Sequence, residues 1–316
     1  MVKKLLLPAA FIFAGAVSSL TAQDDLLALV QDSTMPDPGK SPVYATFKTT
    51  KIINAQSIET VKKRTMDFRI THRFGNIGGE SGGGAHTMWG FDNSDDIRYS
   101  FDFGLTNKLQ VGWGRSKQNE LLDAHVKWRF LEQTVNNKIP VSICVYGDIG
   151  FTPQKESNIY PSGVIIPNKG DISHRITYFS QVIIARKFND WISIQLMPAY
   201  HHRNFIVEAT NSNNGAKETN DLLVLGIGGR IKITKRMAII FDYYYINSKF
   251  RQNNTTNPYE NPLGLGLEIE TGGHVFHLTF TNAAGILENN FIPNTRDRWA
   301  KGGIKFGFNI SRVFNL

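Results

Sequence analysis

The chain has 316 residues, 41% hydrophobic, 11% aromatic and 20% charged, with a formal charge of +8. That is too apolar for a disordered chain, and beyond the N-terminus no stretch approaches the ~18 consecutive apolar residues of a membrane helix. The one cysteine, Cys144, excludes an internal disulfide or a Cys-based zinc site, and the basic residues form no stripe of the kind nucleic acid needs.

Met1-Val2-Lys3-Lys4 is a short basic start, Leu5 to Leu20 is apolar and rich in small residues, and Thr21-Ala22 precedes Gln23. This pattern predicts a cleaved secretory signal peptide over residues 1–22. Its removal leaves 33 of the 35 Lys and Arg against 27 Asp and Glu, a formal +6. Residues 23–62 alternate poorly. Asp24 to Val30 can form two helical turns, Met35-Pro36-Asp37-Pro38-Gly39 is linker chemistry, and Phe47 to Asn54 can be extended. The expectation is a lead-in segment that stays in the periplasm or tucks into the lumen of a barrel.

From residue 65 the period is two. Met66, Phe68, Ile70, His72 and Phe74 alternate with polar residues. Eleven further segments repeat the pattern, centred near Phe101, Val111, Val126, Val145, Val182, Leu196, Ile227, Phe241, Leu267, Leu278 and Phe308. Successive side chains of a strand point to opposite faces, so each segment has one apolar and one polar face. In the segment around Val182, Phe179 and Ile183 blur the contrast. The connections alternate between tight (106–107, 132–138, 189–190, 234–236, 271–273) and mostly long (75–95, 117–120, 152–173, 203–220, 249–262, 283–300). Asn, Asp and Gly in the tight set are expected to supply positive φ. Short turns on one side and long loops on the other predict an all-β fold: a closed antiparallel transmembrane β-barrel of about 12 strands over 63–316, with residues 23–62 as a short non-barrel segment. If 271–273 were a bulge the count would be eleven; parity favours a hairpin. Aromatics near strand ends (Phe74, Trp113, Trp128, Phe130, Tyr200, Tyr243, Tyr245) suit interfacial girdles.

Several segments are distinctive: His72-Arg73-Phe74-Gly75, Ala185-Arg186-Lys187-Phe188-Asn189-Asp190, Glu270-Thr271-Gly272-Gly273-His274-Val275-Phe276 and Phe306-Gly307-Phe308-Asn309-Ile310-Ser311-Arg312-Val313-Phe314. Together with Gly228-Gly229-Arg230 and Thr234-Lys235-Arg236, they make residues 45–316 resemble an uncharacterised outer-membrane β-barrel family (domain of unknown function) of Bacteroidetes-type bacteria. The resemblance implies an outer-membrane location and carries no activity and no site residues. Phe314 near the chain end resembles the terminal signal read by the outer-membrane assembly machinery, although Asn315-Leu316 come after it.

Catalytic chemistry finds little support. A barrel hydrolase resembling the outer-membrane phospholipase would place His and Ser two apart on a lipid-facing strand. The nearest approach is His277-Leu278-Thr279, on the luminal phase, and the one Gly-x-Ser-x-Gly string, Gly79-Glu80-Ser81-Gly82-Gly83, falls in the glycine-rich first long loop rather than in a strand-to-helix elbow. No histidine pair sits two apart beside a carboxylate, so no metal, cofactor or catalytic residue is assigned. The candidates are the charges that the phase turns inward: Arg69, Arg73, Arg98, Asp102, Asp123, His125, Lys127, Arg129, Asp148, Arg175, Arg230, Lys232, Asp242, Glu268, Glu270 and Lys305, with Asp67. Both signs on nearly every strand suggest a hydrated lumen. Charged rings set ion preference in a pore, and a lattice of ion pairs fills a narrow barrel equally well. The leading expectation is a passive pore or binding barrel for a small polar solute, anions included, in outer-membrane lipid. A non-conducting structural or partner-docking barrel is the alternative, and an outer-membrane hydrolase the third reading.

Overall fold

The computed structural model describes residues 41–272 and 274–316; the expected signal peptide lies outside them. Twelve antiparallel strands close into a barrel: β1 (Thr65–Asn76), β2 (Ser94–Gly104), β3 (Leu109–Ser116), β4 (Leu122–Leu131), β5 (Ser142–Phe151), β6 (Ile176–Lys187), β7 (Ile192–Arg203), β8 (Asp221–Lys232), β9 (Met237–Asn247), β10 (Leu263–Thr271), β11 (His274–Thr281) and β12 (Lys305–Asn315). Each strand pairs with its sequence neighbours, and β1 pairs with β12 to close the ring. Closure leaves no unpaired edge, the condition for a sheet in lipid. Thr271 pairs with His274, so the chain reverses at 271–273 and the count is even.

Burial alternates residue by residue along most strands, as in β4 and β7. Val126, Trp128, Leu196, Leu223, Leu225 and Phe280 are exposed on the outer wall. Trp128 and Phe130 sit at the short-turn end of β4, where Phe188 and Trp191 join them. Tyr200 and Tyr245 lie toward the long-loop end. Trp113 departs from the girdle expectation: it stands mid-strand, with its ring centroid 4.8 Å from that of Phe101.

The tight turns also differ from expectation. Of their described residues, only Asn137 has positive φ. Side-chain oxygens take over that role. Thr106 Oγ1 accepts from the N–H of Lys108 and Leu109, and Asn189 Oδ1 accepts from the N–H of Trp191 and Ile192. A side chain that captures the turn's own amides fixes the reversal without a left-handed residue.

The interior is packed. Residues 46–61 enter from the short-turn mouth and fold back as a hairpin inside the barrel. Ser57 N–H donates to Thr50 O at 2.9 Å and Ile52 N–H to Ala55 O at 2.8 Å, so the tip lies at 52–55. At the mouth, Val43 N–H donates to Gln133 O and Val135 N–H to Ser41 O. From the opposite end the β11–β12 loop folds inward. Its Ala283, Ile286, Leu287, Phe291 and Ile292 are buried, around a short helix over Glu288–Asn294.

Candidate functional site: the filled lumen

The luminal wall is of two kinds. From β5 to β9 it presents apolar side chains: Cys144, Tyr146, Phe179, Ile183, Met197, Leu222, Val224, Ile240 and Tyr244. These pack with Phe47, Ile52, Ile53 and Ile58 of the hairpin and Phe291 and Ile292 of the loop. This corrects the expectation of a hydrated lumen with both charges on nearly every strand. Phe179 and Ile183, which blur the alternation of β6, are luminal side chains that meet an apolar insert. Burying each such side chain contributes ~1.5–3 kcal/mol.

Polar side chains, most of them on the other side, grip the hairpin, largely through its main chain. Lys127 Nζ donates to the carbonyls of Thr50 (2.9 Å), Ser57 (3.3 Å) and Glu59 (3.3 Å). Asp242 Oδ2 accepts from the N–H groups of Ile53 (3.1 Å), Asn54 (2.7 Å) and Ala55 (2.9 Å), and its Oδ1 accepts from Asn54 Nδ2 (2.8 Å). Three successive amides aimed at one carboxylate form an anion-binding nest, which compensates the charge buried there. Arg129 pairs with Glu59 at 2.9 Å, Arg69 donates to Thr50 Oγ1 at 3.0 Å, and Gln195 Nε2 donates to Gln56 O at 2.6 Å.

Arg73 and Lys51 join the two inserts. Arg73 donates to Asn54 Oδ1 at the hairpin tip (2.6 Å) and to the loop carbonyls of Ala283 (2.9 Å) and Gly285. Lys51 Nζ donates to Ile286 O at 3.0 Å and lies 3.7 Å from Glu288. Burial pulls the Lys51 pKa below the ordinary lysine value, opposed by the Glu288 carboxylate. Arg251, in the β9–β10 connection, donates to the carbonyls of Ile292 and Pro293 and holds the far end of the loop helix. An interior void of about 10 Å³, lined by Thr50, Lys51, Arg69, Arg98 and Asp102 among others, has room for about one water.

Of the seventeen charges turned inward by phase, Asp67, Arg69, Arg73, Arg98, Asp102, Asp123, His125, Lys127, Asp148, Arg230, Asp242, Glu268 and Lys305 are buried. Arg129, Lys232 and Glu270 are half-buried. Arg175 is a correction: it lies in a short turn ahead of β6, and its guanidinium donates to the carbonyls of Thr152 and Gln154, which anchors a long loop. Most of the remainder are paired. Arg69 meets Asp67 at 3.0 Å, Arg98 meets Asp123 at 2.7 Å, Arg230 meets Glu268 at 2.8 Å, and Lys305 meets Asp297. Asp96 is absent from the sequence-based candidates. It is fully buried and accepts from the N–H groups of Gln118 and Ile286, so it ties β2 to the inward loop. The loop's own signal is its run Ile286-Leu287 and Phe291-Ile292, too apolar for a surface excursion.

Among solved structures, similar folds include the NanC porin (8% identity, covering 79% of this chain and 99% of that one, TM-score 0.46). The KdgM porin in complex with disordered oligogalacturonate shares 8% identity over 80% of this chain and 99% of that one, with a TM-score of 0.41. The Acinetobacter baumannii outer membrane protein Omp33 shares 8% over 82% of this chain and 100% of that one, with a TM-score of 0.39. No curated protein matches by sequence. The family model described as membrane bound beta barrel domain (DUF5777) matches residues 47–314, which takes in the luminal hairpin from Phe47 and every strand to all but the last residue of β12, and the chain belongs to that family.

Proposed function

We propose that the protein is an outer-membrane barrel of the channel type, shut at rest by its own N-terminal hairpin together with the inward β11–β12 loop, that passes a small polar solute, anions included, when both withdraw. The observation that carries this reading is the main-chain grip: Lys127 and Asp242 hold carbonyls and amides of an inserted segment that enters from one mouth. Groups of that kind regain water and counter-ions once the segment leaves, and each such bond nets only ~0.5–1.5 kcal/mol. The apolar contacts set the resting state. Phe47, Ile52, Ile53 and Ile58 are together worth roughly 6–12 kcal/mol, so opening needs a partner or solute that draws the hairpin out. In this reading a cleaved signal peptide directs export, the assembly machinery inserts the barrel into outer-membrane lipid, and the host is a Bacteroidetes-type bacterium. No catalytic residue, cofactor or nucleic acid has a part.

A second reading is favoured by the apolar half of the lumen, which is packed like a soluble core: a non-conducting barrel that docks partners through its long loops. Planar-bilayer recordings separate the two. The full chain is expected to be silent, and a chain lacking both residues 23–60 and the inward loop segment 284–295 is expected to give discrete steps with anion preference. Arg129→Ala and Lys127→Ala in that background then shift the reversal potential toward cations. A folded but silent deletion barrel discards the channel.

A further inference from the structure

One group of luminal side chains takes no part in holding the hairpin. Asp102, Gly112, His125 and Asp148 lie in one cross-strand row over β2–β5. Asp123 precedes His125 by two residues, so both point inward from β4. Gly112 has no side chain, and that gap lets Asp102 reach across β3 to His125: His125 Nε2–H donates to Asp102 Oδ1 at 2.6 Å. The other ring nitrogen, Nδ1, faces Asp123 Oδ2 at 3.5 Å and Asp148 Oδ2 at 4.0 Å and has no hydrogen-bond partner. The three groups offer ligand atoms all within 4.8 Å of one another.

Two further observations point at a ligand. Asn289, from the inward loop, is buried and donates to Asp148 Oδ1, while its own Oδ1 is without a partner; Asp123 Oδ1 is likewise unpartnered. The charge is also unbalanced. Asp102, Asp123 and Asp148 have one guanidinium in hydrogen-bond contact, that of Arg98, which donates to Asp123; Arg69 is paired with Asp67, and the Lys127 ammonium is held by three hairpin carbonyls. With a neutral imidazole the group keeps a surplus of negative charge, which a bound cation would balance.

We propose that Asp123, His125 and Asp148 form a divalent transition-metal site, completed by Asn289 from the β11–β12 loop. A carboxylate on the far nitrogen of a ligating imidazole fixes its tautomer and aims the free nitrogen, which is the role Asp102 has here. One imidazole nitrogen and two carboxylate oxygens suit Zn²⁺, with bonds of about 2.0–2.2 Å and donors about 3.4 Å apart. The His125–Asp123 separation already meets that spacing. A small movement of Asp148 closes the other two, and a turn of the Asn289 amide presents its oxygen. The metal would then staple the inward loop to β4 and β5 and reinforce the outer half of the closure.

The test is to refold the full chain with excess Zn²⁺ or with EDTA, remove free metal, and count metal per chain. Co²⁺ is loaded in parallel to read the visible ligand-field bands of an imidazole–carboxylate site. Wild-type protein is expected to retain one equivalent, to show those bands, and to unfold at a higher temperature with metal than with EDTA. Asp148→Asn should weaken retention at least tenfold, while His202→Ala, at the exposed pair His202–Asp221, leaves it unchanged. Folded wild-type protein that retains no metal and shows no Co²⁺ bands overturns the site, and so does loss of binding in His202→Ala with retention in Asp148→Asn. If Asp148→Asn does not fold, the wild-type count and spectrum, read beside His202→Ala, decide alone.

Discussion

From β1 to β4 the barrel meets its inserted hairpin through Arg69, Arg73, Lys127 and Arg129, whereas from β6 to β9 it meets the same hairpin mostly through Phe179, Ile183, Met197, Leu222 and Ile240. The polar half is directional. Each contact needs one particular acceptor on the hairpin, so it sets the hairpin's depth and register. The apolar half is non-directional and supplies most of the net stabilisation, because water is a good partner for Lys127 but not for Ile52. Asp242, on β9, is the exception that holds the tip from within the apolar side.

That contrast can be broken most severely at Asp242. Asp242→Ala leaves the three buried amides of Ile53, Asn54 and Ala55 unpaired and should cost about 3–5 kcal/mol, read as a lower urea midpoint and as new protease cleavage within residues 46–61. Asp242→Asn, which keeps an acceptor, should cost less. Next is the apolar side: Ile52→Ala or Ile58→Ala is expected to cost about 2–4 kcal/mol with the ion pairs unchanged. The combination Asp242→Ala with Ile52→Ala sharpens the comparison. If both halves hold one segment that leaves as a unit, the double variant loses clearly less than the sum of the two; simple additivity in urea unfolding would mean that the halves act independently.

A smaller effect is expected at Gly264 of β10. A Cβ there would lie 2.7 Å from Asp242 Oδ1, 2.9 Å from Asn54 Nδ2 and 2.9 Å from Ile53 Cγ2. Gly264→Ala should therefore displace the hairpin tip and cost about 1–3 kcal/mol, with fresh protease cutting near residue 54. The smallest belongs to the mouth. The half-exposed Lys48–Glu270 pair, 2.9 Å apart, is worth under about 1 kcal/mol. Lys48→Ala should shift the urea midpoint by that little and leave the hairpin protected.

Much of the site is legible one residue at a time. The inward phase of Asp102, Lys127 and Asp242 comes from strand alternation alone. The partners of Lys127 and Asp242 are not legible, because Thr50, Ser57 and Ile53 are engaged through backbone atoms, which every residue carries and no pattern marks. The Asp123-x-His125 spacing is visible, but it is not a histidine pair, and the third member, Asp148, arrives only through the β4–β5 register. Phe179 and Ile183 look like noise against an alternation that assumes a wet interior.

The order of twelve strands, their pairing with neighbours and the hairpin at 271–273 were determined locally, by a two-residue period and the lengths of the connections. Both are short-range properties that each segment carries for itself. Which face became a core was decided only when the ring closed. The space inside a twelve-strand cylinder exceeds what its own wall side chains fill, and the chain filled it with two segments, 46–61 and 283–295, whose apolar side chains had no other place away from water.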